Sequence, residues 1–183
     1  MQVQRSAMAG VAVLETDRHG DARGSFARWF CENELADVLG GSVIRQINHS
    51  HSAQMGTVRG LHFQYSPYAE KKIVRCLVGR VFDVVVDLRA GSATFLQWQA
   101  VELSADNHKA LLIPEGCAHG FQTLTDDVQL LYLHTAPYTP EAESAVAYND
   151  PCINIAWPLA VSVVSDRDKQ HAHLPVDFPG ITL

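Results

Sequence analysis

The stretch KIVRCLVGRVFDVVVDL, residues 72–88, decides the fold of this chain. It contains two runs of β-branched and other apolar residues, Lys72–Val78 and Val81–Leu88, with only Gly79-Arg80 between them. Runs of this length and composition are typical of β-strands. The two-residue, glycine-containing connection predicts that the two strands form a tight hairpin.

Similar strand-like runs recur on both sides of this stretch. They are Val43–Ile47, Leu96–Leu103, Ala110–Ile113, Gly120–Leu124 and Val128–Thr135. One helix is predicted over about Cys31 to Leu39, followed by a glycine pair that would end it. Many strands with few helices indicate an all-β sandwich or barrel. The last segment, His171 to Leu183, has no periodicity, and we expect an irregular strap or a loose end.

Size and charge narrow the class of protein. A chain of 183 residues predicts a single domain over residues 1–183, and 47% hydrophobic residues indicate a sizeable core. The formal net charge is −6, whereas a general nucleic-acid binder usually carries a basic surplus that neutralises phosphates. We therefore expect no nucleic-acid partner.

The chain carries no pattern for export or for crossing a membrane. No window approaches 18 consecutive apolar residues, and Met1–Gly10 lacks the apolar core of a signal peptide. We expect a cytoplasmic protein with no membrane partner. The four cysteines (Cys31, Cys76, Cys117 and Cys152) form no C-x-x-C motif, and we interpret them as reduced thiols that serve as small hydrophobes.

A row of amide and hydroxyl side chains suggests a ligand-binding surface. Gln46, Asn48, Ser50 and Ser52 alternate along the chain, so they share one face if the segment is a strand. Such groups suit hydrogen bonds to a polar ligand, although a merely solvated face would carry the same pattern.

Two further segments resemble the metal-binding motifs of cupins, which are small jelly-roll barrels. Gly56 through His62 has the spacing Gly-x5-His, and Pro114-x-Gly116-x-x-His119 resembles the second cupin motif. The second histidine of the first motif is replaced by Gln64, and the acidic ligand is displaced to Glu70. Two imidazoles alone make a poor metal site, so we expect no functional metal.

Proton transfer is the alternative use for these histidines. A neutral imidazole such as His62 acts as a general base when a carboxylate orients its other nitrogen. Tyr132 would project a phenol from an otherwise apolar strand and could return the proton. A lone tyrosine on such a strand is more often a core residue whose hydroxyl is satisfied.

The chain closely resembles the dTDP-4-dehydrorhamnose 3,5-epimerase family of cupin-fold nucleotide-sugar enzymes. The matching blocks stay in order over about residues 21–168. They include Asp21-Ala-Arg23-Gly24-Ser-Phe26, Gln46-x-Asn48-x-Ser50, Gly56-Thr-Val-Arg59-Gly60-Leu61-His62-Phe63-Gln64, Lys72-Ile-Val-Arg75-Cys76, Ile113-Pro114-x-Gly116-x-Ala118-His119-Gly120-Phe121, Tyr132, Tyr138-x-Pro140-x-x-Glu143 and Ser165-Asp166-Arg167-Asp168.

This resemblance implies a fold and a reaction. The fold is an all-β, cupin-type jelly-roll barrel with one or two short helices. The reaction inverts C3, C5 or both in a dTDP-4-keto-6-deoxyhexose, with no metal and no other cofactor. By the same match, His62 is the base, Asp168 orients it, Tyr132 is the acid, and Lys72 stabilises the enolate. The alternative for Lys72 is a solvated lysine at a strand edge.

The resemblance also implies substrate contacts and an assembly. The substrate contacts are Arg23, Phe26, Gln46, Asn48, Arg59, His119 and Glu143, although Phe26 could equally be a core residue. The N-terminal segment in this family often reaches a neighbouring subunit, so a homodimer is expected, with Arg23 serving the partner's site. Arg28 departs from the family, whose best-known members carry a glutamate there, so nucleobase preference stays open.

Two alternatives of function also stay open. One is an epimerase that inverts only C3 or only C5, in an antibiotic-type deoxysugar pathway. The other is a non-catalytic cupin that binds a sugar nucleotide. His49, His51 and His134 are not required by the family's chemistry, and we interpret them as surface or supporting residues.

Overall fold

The computed structural model describes residues 1–183 and consists mainly of antiparallel strands. The strands are β1 (Gln2–Arg5), β2 (Ala12–Glu15), β3 (Arg18–Asp21), β4 (Gly24–Ala27), β5 (Gln46–Ser52), β6 (Val58–Gln64), β7 (Lys72–Val78), β8 (Arg80–Asp87), β9 (Trp98–Ser104), β10 (Lys109–Ile113), β11 (Cys117–Thr123), β12 (Val128–His134) and β13 (Glu143–Ala145). The two helices are α1 (Glu32–Leu39) and α2 (Asp166–Lys169).

Two sheets enclose the main core. A six-stranded sheet has the order β1-β2-β10-β7-β12-β5, and a five-stranded sheet has the order β13-β6-β11-β8-β9. Val74 and Leu130 of the first sheet pack with Val85 and Phe121 of the second in one buried cluster. This arrangement confirms the expected all-β, cupin-type jelly roll with two short helices.

Strand β8 carries three consecutive valines, Val84–Val86, because both of its faces are covered. Val85 points into the core between the sheets, whereas Val84 and Val86 pack on the other face against segments that follow β13. Ile153 and Ile181 belong to that second cluster. A strand buried on both sides needs a continuous apolar run, which explains the three consecutive valines.

The predicted hairpin at Gly79-Arg80 is wrong. Strand β7 pairs with β10 and β12, whereas β8 pairs with β9 and β11 in the opposite sheet. The chain therefore crosses from one sheet to the other at Gly79, whose φ is +75°. A short glycine turn fits either connection, so the local sequence does not distinguish a hairpin from a crossing between sheets.

Gly79→Ala is expected to destabilise the fold by about 3 kcal/mol, because strain at a positive φ combines with overpacking. A Cβ at Gly79 would lie 2.5 Å from Thr125 Oγ1 and 2.9 Å from Val128 Cγ2. Gly41 has a φ of +83° with nothing within 4 Å of a Cβ, so Gly41→Ala is the matched control and should lose only about 1 kcal/mol. Urea unfolding of both variants measures the difference, and equal losses would contradict the crowding at Gly79.

The other helices and strands agree only in part with the boundaries predicted from the sequence. Helix α1 lies where it was predicted and ends at Gly40, which is in the left-handed conformation. The predicted strand Val43–Ile47 is shifted, because β5 begins only at Gln46 and runs through the polar row. The tail after His171 is a strap rather than a loose end, since Ile181 pairs with Arg89 and is buried. The strands β1 to β4, β6 and β13 were not predicted.

The cysteine prediction holds in part. All four thiols are free, and Cys76 and Cys117 are buried in the core. Cys152 is exposed, so the interpretation as a small hydrophobe is wrong there. Neither helix is long and apolar enough to cross a membrane. The cytoplasmic location stays a prediction.

Candidate active site

A cleft of about 260 Å³ lies between the two sheets and gathers most of the predicted site residues. The members that line it are Gln46, Asn48, Arg59, His62, Lys72, His119, Tyr132 and Glu143. They come from β5, β7 and β12 of the six-stranded sheet and from β6, β11 and β13 of the five-stranded sheet. Residues that are distant in sequence therefore converge because the two sheets face each other.

His62 and Asp168 form a hydrogen-bonded pair in which Asp168 is buried and His62 is partly exposed. His62 Nε2 lies 2.8 Å from Asp168 Oδ1, and the Gly60 N–H donates to Asp168 Oδ2 over 3.3 Å. Burial alone raises the pKa of Asp168, but hydrogen bonds from His62 and Gly60 outweigh it and hold the pKa below its ordinary value. An ionised Asp168 favours the tautomer with the proton on Nε2, which leaves Nδ1 of His62 as a proton acceptor.

The local sequence explains how Asp168 is held. Ser165 is the N-cap of α2, and its side chain accepts a hydrogen bond from the Asp168 N–H over 3.0 Å. Serine followed three residues later by an acidic residue is a familiar helix start. This cap fixes a short helix against β6 and directs the Asp168 carboxylate at His62.

Tyr132 enters the cleft from the opposite sheet. Its hydroxyl lies 3.0 Å from Ser50 Oγ on the neighbouring strand, and its ring packs against the core. The hydroxyl is therefore satisfied, as expected for a core residue, and the side chain also lines the cleft, whereas its role as the acid stays a prediction. Burial raises the pKa of Tyr132 well above its ordinary value, so the phenol keeps its proton at neutral pH. A protonated phenol on this wall can act as a general acid.

Lys72 is buried, which excludes the alternative of a solvated lysine at a strand edge. Its side chain is only 9% exposed, and β7 lies between β10 and β12 within its sheet. Lys72 Nζ lies 3.2 Å from Glu70 Oε1, and His134 Nδ1 lies 2.9 Å from Glu70 Oε2. Burial raises the pKa of Glu70, but His134 and Lys72 together hold it below its ordinary value.

The remaining cupin positions are engaged with other protein groups. His119 Nε2 lies 3.0 Å from Asp83 Oδ1, and Glu70 is shared as described. The Gln64 amide nitrogen donates to the Tyr68 carbonyl over 2.9 Å. His62 and His119 are paired in register on adjacent strands, but the other two positions do not converge with them on one point.

The polar row of β5 faces the cleft as expected. Gln46, Asn48 and Ser50 line it, whereas Ser52 is buried and accepts a hydrogen bond from Arg59 Nε over 3.0 Å. The Arg59 guanidinium also donates to the His51 carbonyl over 2.9 Å. These two bonds hold the charged group beside the open part of the cleft.

Sequence reasoning missed several residues that lie in or beside the cleft. Tyr138 donates to Glu143 Oε2 over 2.8 Å, and Arg167 forms an ion pair with the same oxygen. Glu70 and His134 line the cleft, so His134 is more than a surface residue. Tyr138 and Glu143 were quoted within one matching block, but nothing local marked the Glu70–His134 pair.

Arg23 and Phe26 lie outside this cleft. They belong to the β3–β4 hairpin, which pairs with neither large sheet. The Arg23 side chain is 90% exposed and bonds to Asp21, and Phe26 is 72% exposed. Arg28 follows the hairpin and pairs with Glu34 of α1. The hairpin thus exposes the positively charged Arg23 and the aromatic Phe26 on the protein surface.

A jelly roll whose cleft places a histidine–aspartate pair and a tyrosine on facing walls has the groups that an isomerase working by proton transfer requires. Residues 5–175 match the family model described as dTDP-4-dehydrorhamnose 3,5-epimerase. The chain belongs to that family, and it is an epimerase.

Individual relatives agree with this assignment. The dTDP-4-dehydrorhamnose 3,5-epimerase of Sinorhizobium fredii is 44% identical over 97% of this chain and 93% of its own length. The Legionella pneumophila enzyme, solved in complex with dTDP-4-keto-L-rhamnose, superposes with a TM-score of 0.90 at 35% identity, covering 100% of this chain and 98% of that one. NovW of Streptomyces spheroides, a 4-keto-6-deoxy sugar epimerase from the novobiocin cluster, has a TM-score of 0.90 at 35% identity, covering 94% of this chain and 87% of that one.

Proposed function

We propose that this enzyme inverts both C3 and C5 of a dTDP-4-keto-6-deoxyhexose. One observation carries the proposal: the His62–Asp168 pair and Tyr132 stand on opposite sheets of one cleft. Inversion at a carbon requires a base on one face of the sugar and an acid on the other. The cleft offers this pair, and the 3,5-epimerase of Sinorhizobium fredii supports the choice of both carbons.

The substrate supplies the acidity that the reaction needs. The C4 ketone lowers the pKa of the hydrogens on C3 and C5, and His62 accepts one of these protons. The electron pair that is left forms an enolate with its charge on the C4 oxygen. Tyr132 then donates its proton to the same carbon from the opposite face. His62 loses its proton to solvent and the Tyr132 phenolate regains one, so no cofactor is consumed.

Lys72 is proposed to stabilise the enolate oxygen. A buried ammonium in a cleft interacts with a developing negative charge more strongly than one in water. Glu70 lies beside Lys72 and holds its side chain from one side, while Lys72 Nζ also lies 3.5 Å from the His62 carbonyl. These contacts leave the ammonium oriented before substrate arrives.

The nucleotide portion is proposed to bind at the polar rim of the cleft. Arg59 supplies a fixed positive charge for the diphosphate, because guanidinium groups bind phosphate oxygens in pairs. Gln46 and Asn48 contribute hydrogen bonds, and His119 and Glu143 complete the proposed contacts. The net charge of −6 does not oppose this, since the local cation decides binding of one diphosphate.

We also propose a homodimer in which the β3–β4 hairpin completes the partner's site. The exposed Arg23 and Phe26 lie outside the cleft of their own chain, and an open cationic residue next to an aromatic one suits a nucleotide. Each subunit would then bind a diphosphate with Arg59 of its own chain and Arg23 of the partner subunit.

Mixing two inactive variants tests this arrangement. Arg23→Ala and His62→Ala should each lose activity as pure proteins. Unfolded and refolded together, they should regain about a quarter of wild-type activity, because half of the dimers are mixed and each mixed dimer has one intact site. Gel filtration establishes the oligomeric state. A monomer, or a mixture as inactive as its components, would contradict the shared site.

Deuterium incorporation tests the proposed reaction. In D2O, dTDP-4-keto-6-deoxyglucose should exchange the hydrogens at C3 and at C5, which NMR resolves separately. Exchange at only one carbon would favour the second candidate, a monoepimerase that acts at C3 or at C5 alone. Binding of the sugar nucleotide without exchange at either carbon would favour a non-catalytic cupin.

A further inference from the structure

A second imidazole lies against the carboxylate that orients the proposed base. His171 follows α2, and its Nε2 lies 3.4 Å from Asp168 Oδ1. His62 Nε2 approaches the same oxygen at 2.8 Å, and the two imidazole rings meet edge to face with 5.9 Å between centroids. Proton abstraction requires only one of these two histidines.

One nitrogen of the His171 ring has no hydrogen-bond partner. This atom, Nε2, is buried. Leaving a buried nitrogen unpaired is unfavourable, and such atoms in native proteins usually indicate a ligand or water that completes them. His171 Nε2 faces Asp168 Oδ1, which His62 Nε2 already contacts. A cation bound between these three atoms would give each of them a partner.

The three atoms have the spacing of a metal site. His62 Nε2, Asp168 Oδ1 and His171 Nε2 all lie within 4.8 Å of one another. The separations of 2.8 and 3.4 Å bracket the ~3.3 Å edge expected for a tetrahedral zinc site with ligands at about 2.0 Å. Two imidazoles and one carboxylate are a common zinc ligand set that leaves the fourth position to water.

The groups around this cluster favour a cation there. The Gly60 N–H holds the other oxygen of Asp168, so Oδ1 stays directed at the two histidines. The guanidinium of Arg167, on the same helix as Asp168, is engaged by Glu143. Carboxylates that bind metals in proteins typically have hydrogen bonds that fix their orientation.

We propose that His62, Asp168 and His171 form a binding site for a divalent transition-metal ion such as Zn²⁺, and that its occupation switches the enzyme off. A neutral imidazole has one lone pair and one proton. When the metal takes the lone pair of His62 Nε2, the proton resides on Nδ1, and His62 can no longer accept a proton from the sugar. The inhibition rests on the proposed role of His62, whereas the binding does not.

Zinc titration of the full-length protein tests the site. Chelator-treated wild type should compete with a chromogenic zinc indicator for one equivalent of Zn²⁺. His171→Asn should bind at least about 10-fold more weakly. His173→Ala is the matched control, because His173 is an exposed histidine two residues further along that contacts only Asn149. Co²⁺ should give the intense visible absorption of a tetrahedral site in wild type and lose it in His171→Asn.

The effect of zinc on activity is measured with the same proteins. Zn²⁺ should abolish deuterium exchange by the wild-type enzyme, and a chelator should restore it. At the same zinc concentration, His171→Asn should still catalyse exchange at the rate it has without metal. Equal zinc affinity in wild type and His171→Asn would overturn the proposal, as would tight binding without inhibition. If no protein shows exchange at all, the zinc and cobalt titrations still decide the site. Thermal melting checks that His171→Asn is folded, and His171→Gln serves as a second variant.

Discussion

Replacing His62 by alanine is expected to slow deuterium exchange at C3 and C5 by about 10²–10⁴-fold, the contribution of one positioned proton-transfer group. The carboxylate of Asp168 would remain, but it would face a cavity in place of the imidazole that it orients. Since the His62 side chain is about one-third exposed, its loss should leave the fold intact. Exchange measured by NMR in D2O, with thermal melting in parallel, checks both expectations.

His173→Ala is the control for this substitution. His173 is exposed, does not line the cleft and is hydrogen-bonded to Asn149 over 3.4 Å. Its loss should leave exchange within about a factor of two of wild type, because nothing assigns it to the reaction. Full exchange by a folded His62→Ala protein would remove His62 from the role of base.

Tyr132→Phe is expected to separate exchange from inversion. The substitution removes only the hydroxyl that bonds to Ser50, and the ring keeps its packing. Formation of the inverted product should fall by about 10²–10⁴-fold, because no acid remains on that face. His62 can still remove a proton and return a deuteron on its own face, so exchange with retained configuration should persist. Comparing deuterium content with product configuration by NMR measures the two rates.

Tyr65→Phe is the matched control, since Tyr65 is a partly exposed tyrosine whose hydroxyl contacts no group in the cleft. It should leave both rates unchanged. If Tyr132→Phe inverts the sugar at the wild-type rate, another group supplies the proton. The high pKa that burial gives Tyr132 predicts in addition that inversion does not decline through ionisation of this phenol near neutral pH.

Sequence patterns predicted the type of fold and most of the cleft, but not every connection. Strand composition is a local property, so β7 and β8 were recognisable within two residues of their observed ends. Which sheet each strand joins depends on distant partners, and the turn at Gly79 therefore predicted the wrong pairing.

In the candidate site, too, local features were predictable from the sequence and long-range contacts were not. His62, Lys72 and Tyr132 were recognisable because they lie within motifs, and the structure brings them to one cleft. His171 stands three residues after Asp168, so these two lie close by local geometry, but their approach to His62 depends on how α2 docks against β6. The location of Arg23 outside its own cleft likewise follows from a hairpin that the sequence did not predict.

The sheet crossing at Gly79 has a consequence for how the chain folds. Because β7 and β8 lie in different sheets, β7 pairs instead with the distant strands β10 and β12. Strand β5 likewise pairs with β12, where Ser50 and Tyr132 meet across 82 positions. Closing such loops costs entropy before contacts repay it, so folding should take milliseconds to seconds, as is usual for sandwiches rich in long-range contacts. Asp168 lies 106 positions after His62. On the ribosome, the pair on which proton abstraction depends can therefore form only after those 106 further residues have been synthesised.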